Sequence, residues 1–69
     1  MPVEFIERMG KYIAFLQRQM DGYFGEPGRE DMVDFYSTKI ETARDICVIF
    51  GYETEVFDEA CKWYKVKIK

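Results

Sequence analysis

Two long stretches of this chain place apolar residues three and four positions apart without a break. The first series is Ile6, Met9, Ile13, Leu16, Met20 and Tyr23, and the second is Val33, Tyr36, Ile40, Ala43, Cys47 and Phe50. Residues at this spacing stack on one face of an α-helix, so each series must be buried against another element. Residues 21–28, where the first series ends and before the second begins, contain three glycines and a proline. The pattern predicts an antiparallel helical hairpin.

A third, shorter helix is predicted after the hairpin. Gly51 suits the left-handed C-terminal cap of the second helix, and Thr54 suits the N-cap of the third. We therefore predict an all-α fold, a three-helix bundle that forms a single domain over residues 1–69. Its helices are expected at about residues 3–21, 29–50 and 54–66.

Two finer expectations concern which side chains are buried. The run 46–50 is apolar all round, which is typical of a buried helix end. In the third helix we expect an inner face with Val56 and Trp63 beside it, made of Phe57, Ala60, Cys61 and Tyr64. Gly10 is expected to be a tolerated weak point of the first helix, since glycine costs about 1 kcal/mol relative to alanine there.

The chain has more aromatic residues than a small helical domain can hide. Of its 69 residues, six are Phe, five are Tyr and one is Trp. A domain of this size buries only about 60% of the surface that its unfolded chain exposes. Large exposed rings are typical of interfaces, so we expect a homodimer. The candidate interface residues are Phe5, Tyr12, Phe15, Phe35, Ile49 and Trp63.

The charge is acidic, with a net value of −3. This argues against a dedicated nucleic-acid binder, which would carry a basic surface. Acidic clusters could instead imitate phosphates and bind a basic partner protein. The candidate partner-binding acids are Glu30, Asp31, Asp34, Glu53, Glu55, Asp58 and Glu59. An alternative is a nucleic-acid accessory function for the tail 62–69, where four lysines accompany Trp63 and Tyr64.

The sequence lacks the residues that most catalytic sites require. There is no histidine, which excludes Ser–His and Cys–His nucleophile pairs and His-containing metal sites. Cys47 and Cys61 are too far apart for a redox pair, and we expect both to pack in the core of a cytoplasmic protein. No catalytic residue, cofactor or metal ligand is predicted, no membrane span is expected, and the N-terminus does not read as a signal peptide.

Two acidic pairs leave an enzymatic alternative open. Glu4 and Glu7 share one face of the first helix, and Asp31 and Asp34 share one face of the second. These pairs resemble the motifs of all-α nucleotide pyrophosphatases, which hold magnesium with Glu-x-x-Glu followed by Glu-x-x-Asp. Here Asp31 stands where a Glu is expected. The resemblance implies a magnesium-dependent nucleotide hydrolase, and the pairs could meet only across a dimer.

The leading hypothesis is a small non-enzymatic protein–protein interaction module. The chain resembles, in style and without a shared motif, the small acidic helical proteins of phages and prophages. Many of those inhibit host enzymes, so an inhibitor of a host protein such as a nuclease is the narrower expectation.

Overall fold

The computed structural model describes residues 2–66, and within them the chain is all-helical. Helix α1 spans Val3–Tyr23, α2 spans Glu30–Phe50 and α3 spans Glu53–Lys65. The predicted all-α fold with three packed helices is confirmed. No strand occurs in the described part of the chain.

The chain reverses between α1 and α2 as the glycines indicated. Gly25 and Gly28 both have left-handed backbone angles, with φ of 82° and 81°. Residues with a Cβ rarely adopt these angles, so the two glycines allow the tight turn. The hairpin therefore has a turn end at residues 24–29 and, at the opposite end of its helices, an open end.

The reversal between α2 and α3 is tighter and rests on Gly51. This glycine has φ of 79°, and its N–H donates to the Val48 carbonyl at 3.0 Å while the Tyr52 N–H donates to the Cys47 carbonyl at 3.0 Å. The predicted left-handed cap is confirmed. The predicted Thr54 N-cap is wrong: Tyr52 is the N-cap, and its carbonyl already accepts a bond from the Val56 N–H at 2.9 Å. Because Gly51 turns the chain so sharply, α3 begins before Thr54.

Helix α1 lies between the other two helices. It runs antiparallel to α2, with Phe5 against Phe50 at the open end (ring centroids 5.4 Å apart) and Tyr23 stacked on Tyr36 near the turn end (6.1 Å). Helix α3 packs on the other side of α1 and touches α2 little. The Cα atoms fill 43 × 27 × 14 Å, so the molecule is a flat layer with two broad faces.

Helix α3 approaches α1 closely at Gly10. A Cβ added there would lie 2.6 Å from the Cβ of Glu59 and 3.1 Å from the backbone nitrogen of Ala60. Contacts between carbon atoms are favourable only beyond about 3.5 Å. Gly10 is therefore required for this packing and is not the weak point that the sequence suggested.

The buried core is small and contains mostly small side chains. In the described part of the chain its eight apolar members are Ile6, Ile13, Ala14, Leu16, Ala43, Cys47, Val56 and Ala60. Both predicted helical series supply part of it, but their other members are half-buried or, for Phe50, exposed. This core leaves much of the apolar content of the chain at the surface.

The expectation that the run 46–50 is buried is wrong. Only Cys47 is buried there, and Ile49 is 80% exposed. The reason is that α2 packs on one side only, since α3 passes beside α1 instead of covering α2. The other four residues of this apolar helix end are therefore exposed.

The expected inner face of α3 is also wrong in part. Val56 and Ala60 are buried against α1, whereas Phe57, Cys61 and Tyr64 are exposed. At this contact the two backbones are close together, so α3 can pack on α1 only through its smaller side chains. The face of α3 that contacts α1 is therefore the one with Val56 and Ala60, rotated away from the exposed rings of Phe57 and Tyr64.

Candidate interaction surfaces

No aromatic side chain of this protein is buried. All twelve rings lie within residues 2–66, and each is exposed or half-buried. Seven of the rings are exposed and five are half-buried. The single chain therefore leaves all of its aromatic side chains at least partly in contact with water.

Several exposed apolar side chains share one broad face, on which α1 and α2 lie side by side. On α2, Phe35, Ile46 and Ile49 fall within about 60° of one another, at 100° per residue. Phe50 is adjacent to them and touches Phe5 of α1. We call this surface the ring face and define it by its six exposed members: Tyr12, Phe15, Phe35, Ile46, Ile49 and Phe50.

The α1 members extend the ring face beyond α2. Tyr12 lies seven residues after Phe5 and so projects from nearly the same side of α1. Phe15 follows three residues later and is 52% exposed. Four of the six predicted interface residues are thus on the ring face, and Phe5 is half-buried at its edge. Ile46 and Phe50 are ring-face members outside the predicted set, because the all-round apolar pattern of residues 46–50 predicts burial.

Two polar side chains that lie among the ring-face members, Thr42 and Lys39, already have partners within the chain. The Thr42 hydroxyl donates to the Thr38 carbonyl at 3.0 Å. The Lys39 ammonium lies 4.8 Å from the centroid of the Phe35 ring, a cation–π contact. A second chain could therefore cover Thr42 without leaving its hydroxyl donor unsatisfied.

The ring face is large enough for a protein interface. Its six side chains are between 39% and 80% exposed, which amounts to roughly 650 Å² at about 200 Å² for each fully exposed large side chain. A stable interface buries about 800 Å² on each partner, including polar groups, whereas the largest apolar patch of a typical monomer is about 300–600 Å². The ring face is thus comparable with one side of a dimer interface.

The opposite broad face carries a shallow groove between α2 and α3. It consists of two adjoining cavities of about 400 and 270 Å³, and Phe57 lines both. The groove floor is Ile13 and Gln17 of α1, and Ile40 with Arg44 forms the α2 wall. Because Arg44 and Ile46 project from opposite flanks of α2, the groove and the ring face are separate surfaces.

Trp63, the remaining predicted interface residue, is engaged within the chain. Its indole N–H donates to Glu59 at 2.8 Å, and the Lys11 ammonium is 4.4 Å from its ring centroid. The side chain is half-buried between α1 and α3. The indole N–H and one side of the aromatic ring are therefore engaged within the chain. This leaves less of the indole free to stack on a nucleic-acid base.

The end of α3 is fastened to α1 by one polar cluster. Arg18 donates to the carbonyls of Tyr64 and Val66, and the Tyr64 hydroxyl donates to Asp21. The hydrogen bond from Tyr64 to Asp21, with smaller contributions from burial and from the charge of Asp21, raises the pKa of Tyr64. The last lysines of the predicted tail, Lys67 and Lys69, lie outside the described residues.

The candidate acids form two groups at opposite ends of the molecule. Glu30, Asp31 and Asp34 are exposed at the turn end. The second group begins α3 at the open end; within it Glu53 and Asp58 are exposed, whereas Glu55 and Glu59 are half-buried. Helix α2 separates the groups by about 30 Å at 1.5 Å per residue. They do not form one continuous acidic surface.

The paired acids of the hydrolase alternative are separated in the same way. Glu4 and Glu7 lie at the open end, where Glu4 pairs with Arg8 at 3.2 Å, and Asp31 and Asp34 lie at the turn end. Within residues 2–66, no three acidic or cysteine side chains are grouped so that they could hold a metal ion. Coordination by these pairs would therefore still need a second chain.

The two thiols differ in environment. Cys47 is 1% exposed, and burial, followed by the negative charge of Glu53, raises the pKa of its thiol. Its predicted place in the core is confirmed. Cys61 is exposed, so the same expectation for Cys61 is wrong. It lies one position beyond buried Ala60, on the flank of α3 that faces the groove.

Comparison with known proteins gives no relative to reason from. No protein-family model, curated protein or solved structure matches this chain significantly. Among the described residues, no helix combines the length and the apolar character needed to cross a membrane. Function must therefore be argued from the surfaces themselves.

Proposed function

We propose that this protein is a non-enzymatic helical protein–protein interaction module that self-associates and binds a second protein. The observation that carries the proposal is that none of its twelve aromatic side chains is buried. Exposed apolar surface of this extent is unfavourable in water unless another chain covers it. The chain presents two such surfaces, the ring face and the groove, so it can contact two chains at once.

The small core supports the same proposal. Within residues 2–66, three of its eight buried side chains are alanines, and the rings that pack against it, Phe5 and Tyr52, are only half-buried. A chain of this length with so small a core gains little stability from its own interior, and small domains commonly supplement it by oligomerisation. Association would then be part of how the protein folds.

Apolar contact is favoured over phosphate imitation as the mode of recognition. A chain that replaces nucleic acid in a nuclease groove needs its acids along one track, whereas this chain divides them between two ends. The narrower hypothesis of a phage-type inhibitor of a nuclease stays a prediction. So do the magnesium-dependent hydrolase and the nucleic-acid accessory function.

The experiment is affinity purification of the tagged chain from its native cells at low and high salt. We expect a second protein to copurify in a stoichiometric amount and to be retained at high salt, because apolar burial is not screened by ions. Loss of that protein at high salt would instead support the acidic surface. Purified chain that stays monomeric without any copurifying protein, or that hydrolyses nucleotides with magnesium, would refute the proposal.

A further inference from the structure

We propose that the ring face is the homodimer interface, formed by the α2 helices of two copies packed antiparallel around Thr42. This inference rests on the proposed function and specifies its self-association: which surface is covered, by what, and in which orientation.

The area of the ring face is close to what one side of a dimer interface buries. Its six exposed apolar side chains contribute roughly 650 Å², and neighbouring polar atoms bring this close to the 800 Å² that one side of a standard interface buries. A second copy also offers an equal apolar area in return. It is present whenever the chain is synthesised, which suits a fold whose described residues bury a core of only eight side chains.

The order of residues along α2 is self-complementary. Phe35, Thr42 and Ile49 are spaced by seven, so they form one stripe with Thr42 at its centre. A twofold axis at Thr42 places Phe35 against the partner's Ile49 and the reverse, as an isologous interface requires. The small Thr42 residues meet on the axis, where they allow the two helices to approach closely.

The polar side chains in and beside the stripe of Phe35, Thr42 and Ile49 can be covered by a second chain without losing their partners. The Thr42 hydroxyl is satisfied by the Thr38 carbonyl, so it loses no hydrogen bond when water is removed. Lys39 extends over the Phe35 ring and can keep its ammonium at the rim. A parallel arrangement would bring each Lys39 next to the partner's Lys39, which like-charge repulsion disfavours. The antiparallel arrangement separates them by about six residues, or 9 Å.

The first test compares two glutamate substitutions in neighbouring positions of α2. Ile49→Glu places a charge in the ring face, whereas Val48→Glu places the same charge 100° away, outside it. Both side chains are more than half exposed in one chain, so neither change removes core packing. Light scattering after gel filtration should show a dimer for the parent and for Val48→Glu. For Ile49→Glu the dimer dissociation constant should rise at least about 100-fold.

The second test fixes the axis by disulfide formation. With the exposed thiol removed by Cys61→Ser, Thr42→Cys should form an intermolecular disulfide on oxidation, because its Cα atoms meet on the axis. Thr38→Cys is the matched control, since eight residues separate the two copies of position 38, or about 12 Å. This test does not depend on how well the glutamate variant folds.

The outcomes separate this inference from the proposed function. A dimer that Ile49→Glu disrupts, and that Thr42→Cys but not Thr38→Cys crosslinks, supports both. A dimer that survives Ile49→Glu, or that crosslinks through position 38 instead of 42, overturns the ring-face interface while self-association stands. A parent chain that is monomeric at micromolar concentration overturns this interface and the proposed self-association together.

Discussion

Replacement of Gly10 by alanine should destabilise the protein, although the intrinsic preference of helices favours the change. In an exposed helix interior, Gly→Ala stabilises by about 1 kcal/mol. At Gly10 the new methyl group would lie 2.6 Å from the Cβ and Cγ of Glu59. Helix α3 would have to move away by roughly 1 Å to restore ordinary contact. Overpacking of this kind costs about 1–3 kcal/mol, so we expect a net loss of about 1 kcal/mol.

Gly22→Ala provides the matched control. Gly22 lies in the last turn of the same helix, and nothing stands within 4 Å of the position its Cβ would occupy. We expect this variant to gain about 0.5 kcal/mol. For a chain of this size 1 kcal/mol corresponds to about 4–8 °C in Tm, so thermal unfolding followed by circular dichroism resolves the difference. The scans need one fixed protomer concentration, because association would raise Tm by mass action.

Opposite signs for the two alanine variants are the expected result. If Gly10→Ala raises Tm as Gly22→Ala does, then α3 does not approach α1 as described. The explanation of the rotated α3 face by small-residue packing would then be wrong as well.

Three further predictions concern a turn, the thiols and alkaline pH. Gly51→Ala should lower the free energy of unfolding by about 1 kcal/mol or more, because alanine is strained at a φ of 79°; unchanged denaturant midpoints would contradict this. A thiol reagent should modify Cys61 at once and Cys47 only as the chain unfolds; two equally fast thiols would show that Cys47 is accessible. The raised pKa of Tyr64 means that the folded state holds this proton more tightly than the unfolded state does. Its stabilising effect should therefore be complete below about pH 10 and fade as pH rises through the folded pKa. The Tm difference between the parent and Tyr64→Phe should shrink correspondingly, whereas a difference that stays constant up to pH 11 or so would refute the role of the Asp21 bond.

The helices and reversals could be predicted because their causes are local. The three–four spacing specifies a helix wherever it continues, and a glycine that follows such a series indicates where the helix ends. Gly51 is the clearest example: its predicted left-handed cap is present, with both of the expected backbone hydrogen bonds. No knowledge of the neighbouring helix is needed for any of these inferences.

The choice of packing faces could not be predicted because it depends on pairs of helices. Helix α3 has apolar residues over a wide arc, from Val56 round to Tyr64, so its sequence allows several orientations on α1. The orientation found uses the close approach at Gly10. The sequence pattern predicted Phe57 and Tyr64 on the inner face beside Ala60, and of these three Ala60 alone is buried. In α2, the apolar run 46–50 predicted burial of Ile46 and Phe50, which removed them from the candidate interface.

Sedimentation equilibrium of the parent protein at micromolar concentration tests the central claim most directly. The claim is that rings left uncovered by one chain are covered by another. We predict a mass of twice 8.3 kDa that falls toward the monomer value only on strong dilution. A mass of 8.3 kDa at every concentration, from a chain that remains helical, would contradict the claim.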